Sequence, residues 1–208
     1  MILIGQYDSP FVRRVGIALT LYGMPFEHRP WSVFGDADKI RPFNPLVRVP
    51  TLVLDDGEVV IETHAILDWL DSQVAAGVAL LPAEQPARRR ALKTITLATG
   101  IADKAVSLFY EKRLHERASD VWVERCRGQI LGAMALLEQE RAARPGDHWF
   151  GDRIGHADIA VAATLRFLGE AHPGLAPLAG YPALAADAAR LEAMPAFQKI
   201  SQPFIPPA

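Results

Sequence analysis

Cysteine is almost missing from this chain: among 208 residues there is one, Cys126. A single thiol excludes an internal disulfide, and the chain therefore suits a reducing compartment. Cys126 lies in Trp122-Val-Glu-Arg-Cys-Arg, a helix-like stretch where a small buried side chain is expected. Long hydrophobic runs are missing too. No stretch of about 18 residues escapes a charge or a helix breaker, which predicts no membrane span. The opening residues, Met1-Ile-Leu-Ile-Gly-Gln, lack a basic start and a cleavage site, so they read as a first strand and not as a signal peptide. Excess charge of one sign is absent, since 22 Lys and Arg face 24 Asp and Glu. That balance excludes an electrostatic footprint for nucleic acid, and Arg88-Arg-Arg90 is expected to be a solvated helix face. Metal-ligand spacing is lacking as well: the six histidines lie far apart, with no pair on one helix face. What remains is ordinary globular composition, 50% hydrophobic, enough to build a core in a cytoplasmic protein.

The pattern along the chain changes near residue 80. Residues 2–6 form a short apolar run suited to a buried strand. Ser9-Pro10 then opens a helix, with serine at the cap and proline at the first helical position, and Gly23 stops it. Residues 26–31 alternate as a second strand, and residues 34–47, with Pro42 and Pro45, read as irregular. Thr51-Leu-Val-Leu54, the turn Asp56-Gly57 and Val59-Val-Ile61 make a hairpin. A helix runs from Thr63 to about Val74, and residues 77–86 carry two prolines and read as a linker. Beyond it, residues 87–115, 119–143, 155–171 and 182–193 read as helices rich in Ala, Leu, Arg and Glu. The prediction is a small α/β domain over residues 1–78 followed by an all-helical domain over residues 85–208.

Four segments, in this order and spacing, resemble the cytosolic glutathione transferases of the serine type, and the resemblance covers nearly the whole chain. They are Ser9-Pro-Phe-Val-Arg-Arg-Val15, Asn44-Pro-Leu-Val-Arg-Val-Pro50, Glu62-Thr63 ahead of Ala65-Ile-Leu67, and Gly151 through Ala157-Asp158-Ile159. The resemblance implies a thioredoxin-like first domain and glutathione as co-substrate, with no metal. It implies a cis Val49-Pro50 bond that turns the Val49 backbone outward to pair with the tripeptide like an added strand. Thr63, where the family usually has serine, would bind the γ-glutamyl carboxylate at a helix start, and Glu62 its ammonium group. Arg48 would take the glycine carboxylate. Asp103 would reach across a homodimer to the partner's ammonium group.

Ser9 is the residue expected to carry chemistry. At a helix start its hydroxyl would donate a hydrogen bond to the glutathione thiolate, which is the nucleophilic form. A plain N-cap accounts for the same serine without any ligand. Tyr7 is a second hydroxyl nearby and is otherwise expected to shape the electrophile pocket with Phe11, Phe109, Tyr110 and Arg113. The chain reads Ser9-Pro-Phe-Val12 where related redox proteins carry Cys-x-x-Cys, which argues against thiol–disulfide exchange. Pro10 and Phe11 also depart from the Ser-Ser-Cys cluster of the isomerase class. The expected function is activation of glutathione for attack on a small hydrophobic electrophile, or for peroxide reduction. The competing function is non-catalytic binding of glutathione or a hydrophobic ligand. One departure concerns stability: the family usually places Ser or Thr where Gly155 stands. Asp158 can still reach back to the Gly155 N–H, so Gly155→Ser is expected to stabilise slightly and Asp158→Ala to cost about 1 kcal/mol.

Overall fold

The computed structural model describes residues 1–206. Its first half is built on a four-stranded mixed sheet of β1 (Ile2–Ile4), β2 (Glu27–Arg29), β3 (Thr51–Val53) and β4 (Val59–Ile61), in the order β2-β1-β3-β4. β1 runs parallel to β2 and antiparallel to β3, and β3 runs antiparallel to β4. A parallel pair needs a crossover, and α1 (Pro10–Leu21) supplies it between β1 and β2. Ser9 caps α1 in an extended conformation and accepts a bond from the Val12 N–H, while Pro10 begins the helix. α3 (Thr63–Ser72) follows β4 and packs with α1 on the sheet through Val15, Leu19, Ile66 and Leu70, all fully buried.

Residues 34–47 are less irregular than the sequence predicts, because one helical turn, α2 (Ala37–Ile40), forms there. Local polar contacts hold it: Asp36 accepts from the Ser32 N–H and pairs with Lys39, and Ile40 is buried beneath Val53. Pro42 and Pro45 prevent its extension.

The second half is helical: α4 (Ala87–Leu114), α5 (Asp120–Ala142), α6 (His156–Ala171), α7 (Pro182–Glu192) and α8 (Pro195–Lys199), with one 3₁₀ turn at Leu178–Gly180. Nearly every residue of α6 from His156 to Leu168 is buried, because this helix serves two cores. Ala157, Ala160, Val161 and Leu165 join the core of the helical half with residues of α4 and α5, whereas Ile159 and Ala162 join the core of the first half. Small side chains allow that double contact on opposite faces of one helix. Cys126 is fully buried on α5, and burial pushes its thiol pKa up, away from reactivity. No helix among the described residues is long and apolar enough to cross a membrane.

The link between the halves is a buried polar hub. Asp71 of α3 accepts from the Tyr22 hydroxyl, from His156 Nε2 at 2.8 Å and from the Leu81 N–H at 3.2 Å. Tyr22 in turn accepts from the Leu80 N–H at 2.7 Å. The Leu80 carbonyl accepts from the His156 N–H at 3.0 Å, so the connecting segment is fastened from both sides.

At the start of α6 the sequence expectation is corrected. Asp158 Oδ2 accepts from the Gly155 N–H at 2.9 Å, and Oδ1 accepts from the Trp149 N–H at 3.1 Å. Gly155 has no side chain to offer, so only the aspartate half of the capping box exists. Its backbone is extended (φ −139°), which any residue adopts. Space is what requires glycine: a Cβ there would lie 2.8 Å from the Leu80 carbonyl oxygen. Gly155→Ser is therefore a clash and not a gain.

Candidate functional site

One glycine-dependent position and two strained ones bring the site together. Gly5 ends β1 with φ +127°, and a Cβ there would lie 2.5 Å from Val12 Cγ2 and 2.8 Å from Val49 Cβ. Its missing side chain lets α1 and the 44–50 loop meet at the end of β1. Among the described residues the non-glycine positions with positive φ are Val47 (50°) and Glu62 (68°), and both flank this junction. Such conformations cost about 1–3 kcal/mol and cluster at functional sites. The Val49–Pro50 bond is cis, and so is Gln85–Pro86, which the sequence reading did not anticipate. Asn44 braces the loop, donating to the Arg48 carbonyl at 3.0 Å and accepting from the Leu46 N–H at 3.0 Å. Val49 itself makes no backbone hydrogen bond among the described residues, although the Thr51 it precedes is paired in β3.

Beside this loop opens a cleft of about 440 Å³ between the two halves. Ser9, Phe11, Arg48 and Val49 lie on its first-half side, and Phe109 and Tyr110 of α4 lie on the other. Ser9 Oγ accepts from the Val12 N–H at 3.4 Å, a long bond that uses a lone pair and leaves the hydroxyl proton free to donate. Burial pushes the Tyr110 phenol up, so it stays a neutral hydroxyl on the cleft wall.

Thr63 begins α3 and is 2% exposed, with its hydroxyl 3.5 Å from the Phe11 carbonyl. Glu62 and Arg48, given opposite ends of an extended tripeptide by the resemblance, meet each other at 3.3 Å, with side chains 43% and 57% exposed. Asp103 stands on α4 with its side chain reaching solvent, and its pKa is raised because the protein around the carboxylate displaces part of its hydration, against the opposing pull of Arg48, Lys104 and His64 of the same chain.

Two expected pocket residues lie elsewhere. Tyr7 stacks on His28 with ring centroids 3.8 Å apart and planes 7° apart, and burial pushes its phenol up to about 12. It is held by packing against the sheet's first strands and does not line the cleft. Arg113 faces a second groove with Lys112 and Arg127, past the Phe109 ring, because it is four residues further along α4, beyond the cleft. Trp31, Phe34, Phe167, Phe204 and Asp8 do line the cleft and were missed by sequence reasoning. Trp31 ends the stretch read as the second strand and Phe34 begins the segment read as irregular, and neither position signals a place on the cleft.

The chain matches the family model described as the glutathione S-transferase N-terminal domain over residues 3–77, and that of the C-terminal domain over residues 120–186. It is 32% identical over 169 residues to the uncharacterized GST-like protein YibF of Escherichia coli, covering 81% of this chain and 82% of that one. Glutathione S-transferase U6 of Arabidopsis thaliana is 27% identical over 166 residues, covering 79% of this chain and 70% of the plant protein. A solved glutathione S-transferase from Methylobacterium radiotolerans, in complex with glutathione sulfonate, superposes with a TM-score of 0.90 at 32% identity, covering 100% of this chain and 98% of that one. Sheet order, helical half and these matches agree, and the chain belongs to the glutathione S-transferase family as a glutathione transferase.

Proposed function

We propose that this protein holds glutathione along the 44–50 loop and the start of α3, and that Ser9 stabilises its thiolate for attack on a small hydrophobic electrophile in the adjoining cleft. The observation that carries this reading is the position of Ser9, a helix-capping hydroxyl with an uncommitted proton at the mouth of an aromatic-walled cleft. A helix N-terminus favours negative charge, and lowering a thiol pKa by about 2 units corresponds to about 2.7 kcal/mol. A charge-assisted hydrogen bond together with the helix end is of that size.

The free N–H and C=O of Val49 suit the backbone of an extended peptide, as in strand addition. The N–H groups at the start of α3 suit the γ-glutamyl carboxylate, with the Glu62 carboxylate for its ammonium. The Arg48–Glu62 pair is solvent-exposed and worth at most about 1 kcal/mol. Arg48 is thus free to swing to the glycine carboxylate when ligand arrives. Conjugation and peroxide reduction share the thiolate, and the aromatic lining favours conjugation of apolar electrophiles.

The protein is further proposed to work as a homodimer. Leu114 (54% exposed) and Val121 (82% exposed) leave apolar surface at the α4–α5 end, next to Asp103, Tyr110 and Trp122. Light scattering at micromolar concentration tests this, and a monomer with full glutathione affinity would remove any role for Asp103 across the subunits. The main test is the ultraviolet absorbance of bound glutathione against pH. A thiolate at neutral pH supports the enzyme, and binding without ionisation supports a non-catalytic carrier.

A further inference from the structure

Among the described residues the ionisable side chains that line the cleft are Asp8, Arg48 and Tyr110. Arg48 already faces an anion: it pairs with Glu62 at 3.3 Å and is read above as the holder of the glycine carboxylate. Tyr110 is a neutral hydroxyl. What is left on the electrophile side is one carboxylate without a cation of its own.

The connection from β1 to α1 places Asp8 there, one residue before the Ser9 cap. The side chain is half-buried, and its Oδ2 accepts from the Ile205 N–H at 3.1 Å. Burial pushes its carboxyl up and the nearby Glu170 carboxylate adds to that, against the N–H groups of Ile205, Ser9 and Asp8 itself, which favour the ionised form. The closest candidate cation, Arg166, is spoken for by Glu170 at 2.9 Å. Activation of glutathione does not account for this residue, because a carboxylate next to Ser9 opposes a thiolate.

A charge partly withdrawn from water and left without a counter-ion is costly. A ligand that brings positive charge or a strong N–H donor offsets that cost. An anionic ligand instead adds a second negative charge in a space walled by Phe11, Phe109, Phe167 and Phe204, where low polarity strengthens repulsion. The reach of the Asp8 charge extends to the opposite wall: the Tyr110 phenol is pushed up first by burial and then by Asp8.

We propose that Asp8 is the specificity-determining residue of the cleft, selecting apolar electrophiles that carry an ammonium or other N–H-donating group and rejecting carboxylates and sulfonates. The proposal rests on reading the cleft as the electrophile pocket.

The charge preference is measured first without glutathione, on the full chain loaded with N-phenyl-1-naphthylamine, an uncharged aromatic probe read by fluorescence. At low ionic strength, where charges are least screened, 1-naphthylmethylammonium displaces the probe at about tenfold lower concentration than 1-naphthalenesulfonate. Asparagine keeps an acceptor for the Ile205 N–H, so Asp8→Asn removes the charge and not the contact. In that variant the two ions come within about twofold of each other, and Asp8→Glu, which keeps the charge, retains the parent's preference. A packing role for Asp8 would move both ions alike and leave their ratio unchanged. With glutathione attached, the parent binds S-benzylglutathione about tenfold more tightly than S-(p-carboxybenzyl)glutathione, and Asp8→Asn narrows the gap to about threefold or less. If the parent binds neither conjugate nor glutathione, the proposed function fails while the displacement measurements still decide the role of Asp8. A parent that does not bind the neutral probe, equal displacement by the two ions in the parent, or a preference that persists in Asp8→Asn overturns the proposal.

Discussion

Replacing Asp158 by alanine should destabilise the protein by about 3 kcal/mol, well above the loss of an exposed helix cap. The side chain is 1% exposed and its two oxygens are separately committed, Oδ1 to the Trp149 N–H and Oδ2 to the Gly155 N–H. Alanine leaves both donors buried and unpaired, at about 1–3 kcal/mol each. Part of that is offset, because burial raises the Asp158 pKa and the charged form is already penalised in the fold. Asp158→Asn keeps an acceptor for one amide and should lose about half as much. Gly155→Ser should be destabilising by about 1–3 kcal/mol, since its Cβ would press on a Leu80 carbonyl that is itself bonded to the His156 N–H. Urea unfolding at neutral pH, with midpoint and slope compared across the variants, measures all three. A loss under about 1 kcal/mol for Asp158→Ala, or a neutral or stabilising Gly155→Ser, would refute the reasoning.

Other expectations follow from the same geometry. Gly5→Ala should cost several kcal/mol, on the order of 3 or more, and should weaken glutathione binding by displacing Val49, as denaturation and calorimetry would show; a stable variant with parental affinity would contradict the close-approach argument. His64, His156 and His172 are all held below the usual imidazole value, chiefly by burial. The unfolded chain therefore takes up these protons first, so stability present above about pH 6.5 is lost as pH falls through that value. The urea midpoint should drop from about pH 7.5 to about pH 5.5, with a smaller drop in His156→Gln; a flat profile would contradict the burial account. Glu62→Gln should weaken glutathione about tenfold without changing the thiol's ionisation in the complex, and an unchanged Kd would remove the ammonium contact.

Much of the frame was legible because its signals are local. Ser9-Pro10 at one end and Gly23 beyond the other delimit α1, and the hairpin turn at Asp56-Gly57 separates β3 from β4. The long helices were visible from composition alone. What escaped depends on contacts between distant residues. Arg13 and Arg14 carry no sequence signal for burial, yet both are 2% exposed. Arg13 is satisfied by Glu192 and by the Ile200 and Phe197 carbonyls, 179 to 187 residues away in sequence. Tyr7 follows β1 as expected, but its ring direction is set by stacking on His28 of β2. Gly155 reads as a weak cap because nothing in its neighbours announces the Leu80 carbonyl. Phe204 sits between prolines with no period to mark it, and only the folded chain brings it to the cleft.

The central claim is that the Ser9 hydroxyl stabilises a thiolate, and the direct measurement is a spectrophotometric pH titration of bound glutathione in the parent, Ser9→Ala and Tyr7→Phe. The account predicts a thiolate at neutral pH in the parent, a bound-thiol pKa higher by about 2 units in Ser9→Ala with affinity nearly unchanged, and little change in Tyr7→Phe. A parent complex that stays protonated at neutral pH, or a larger shift from Tyr7→Phe than from Ser9→Ala, would contradict it.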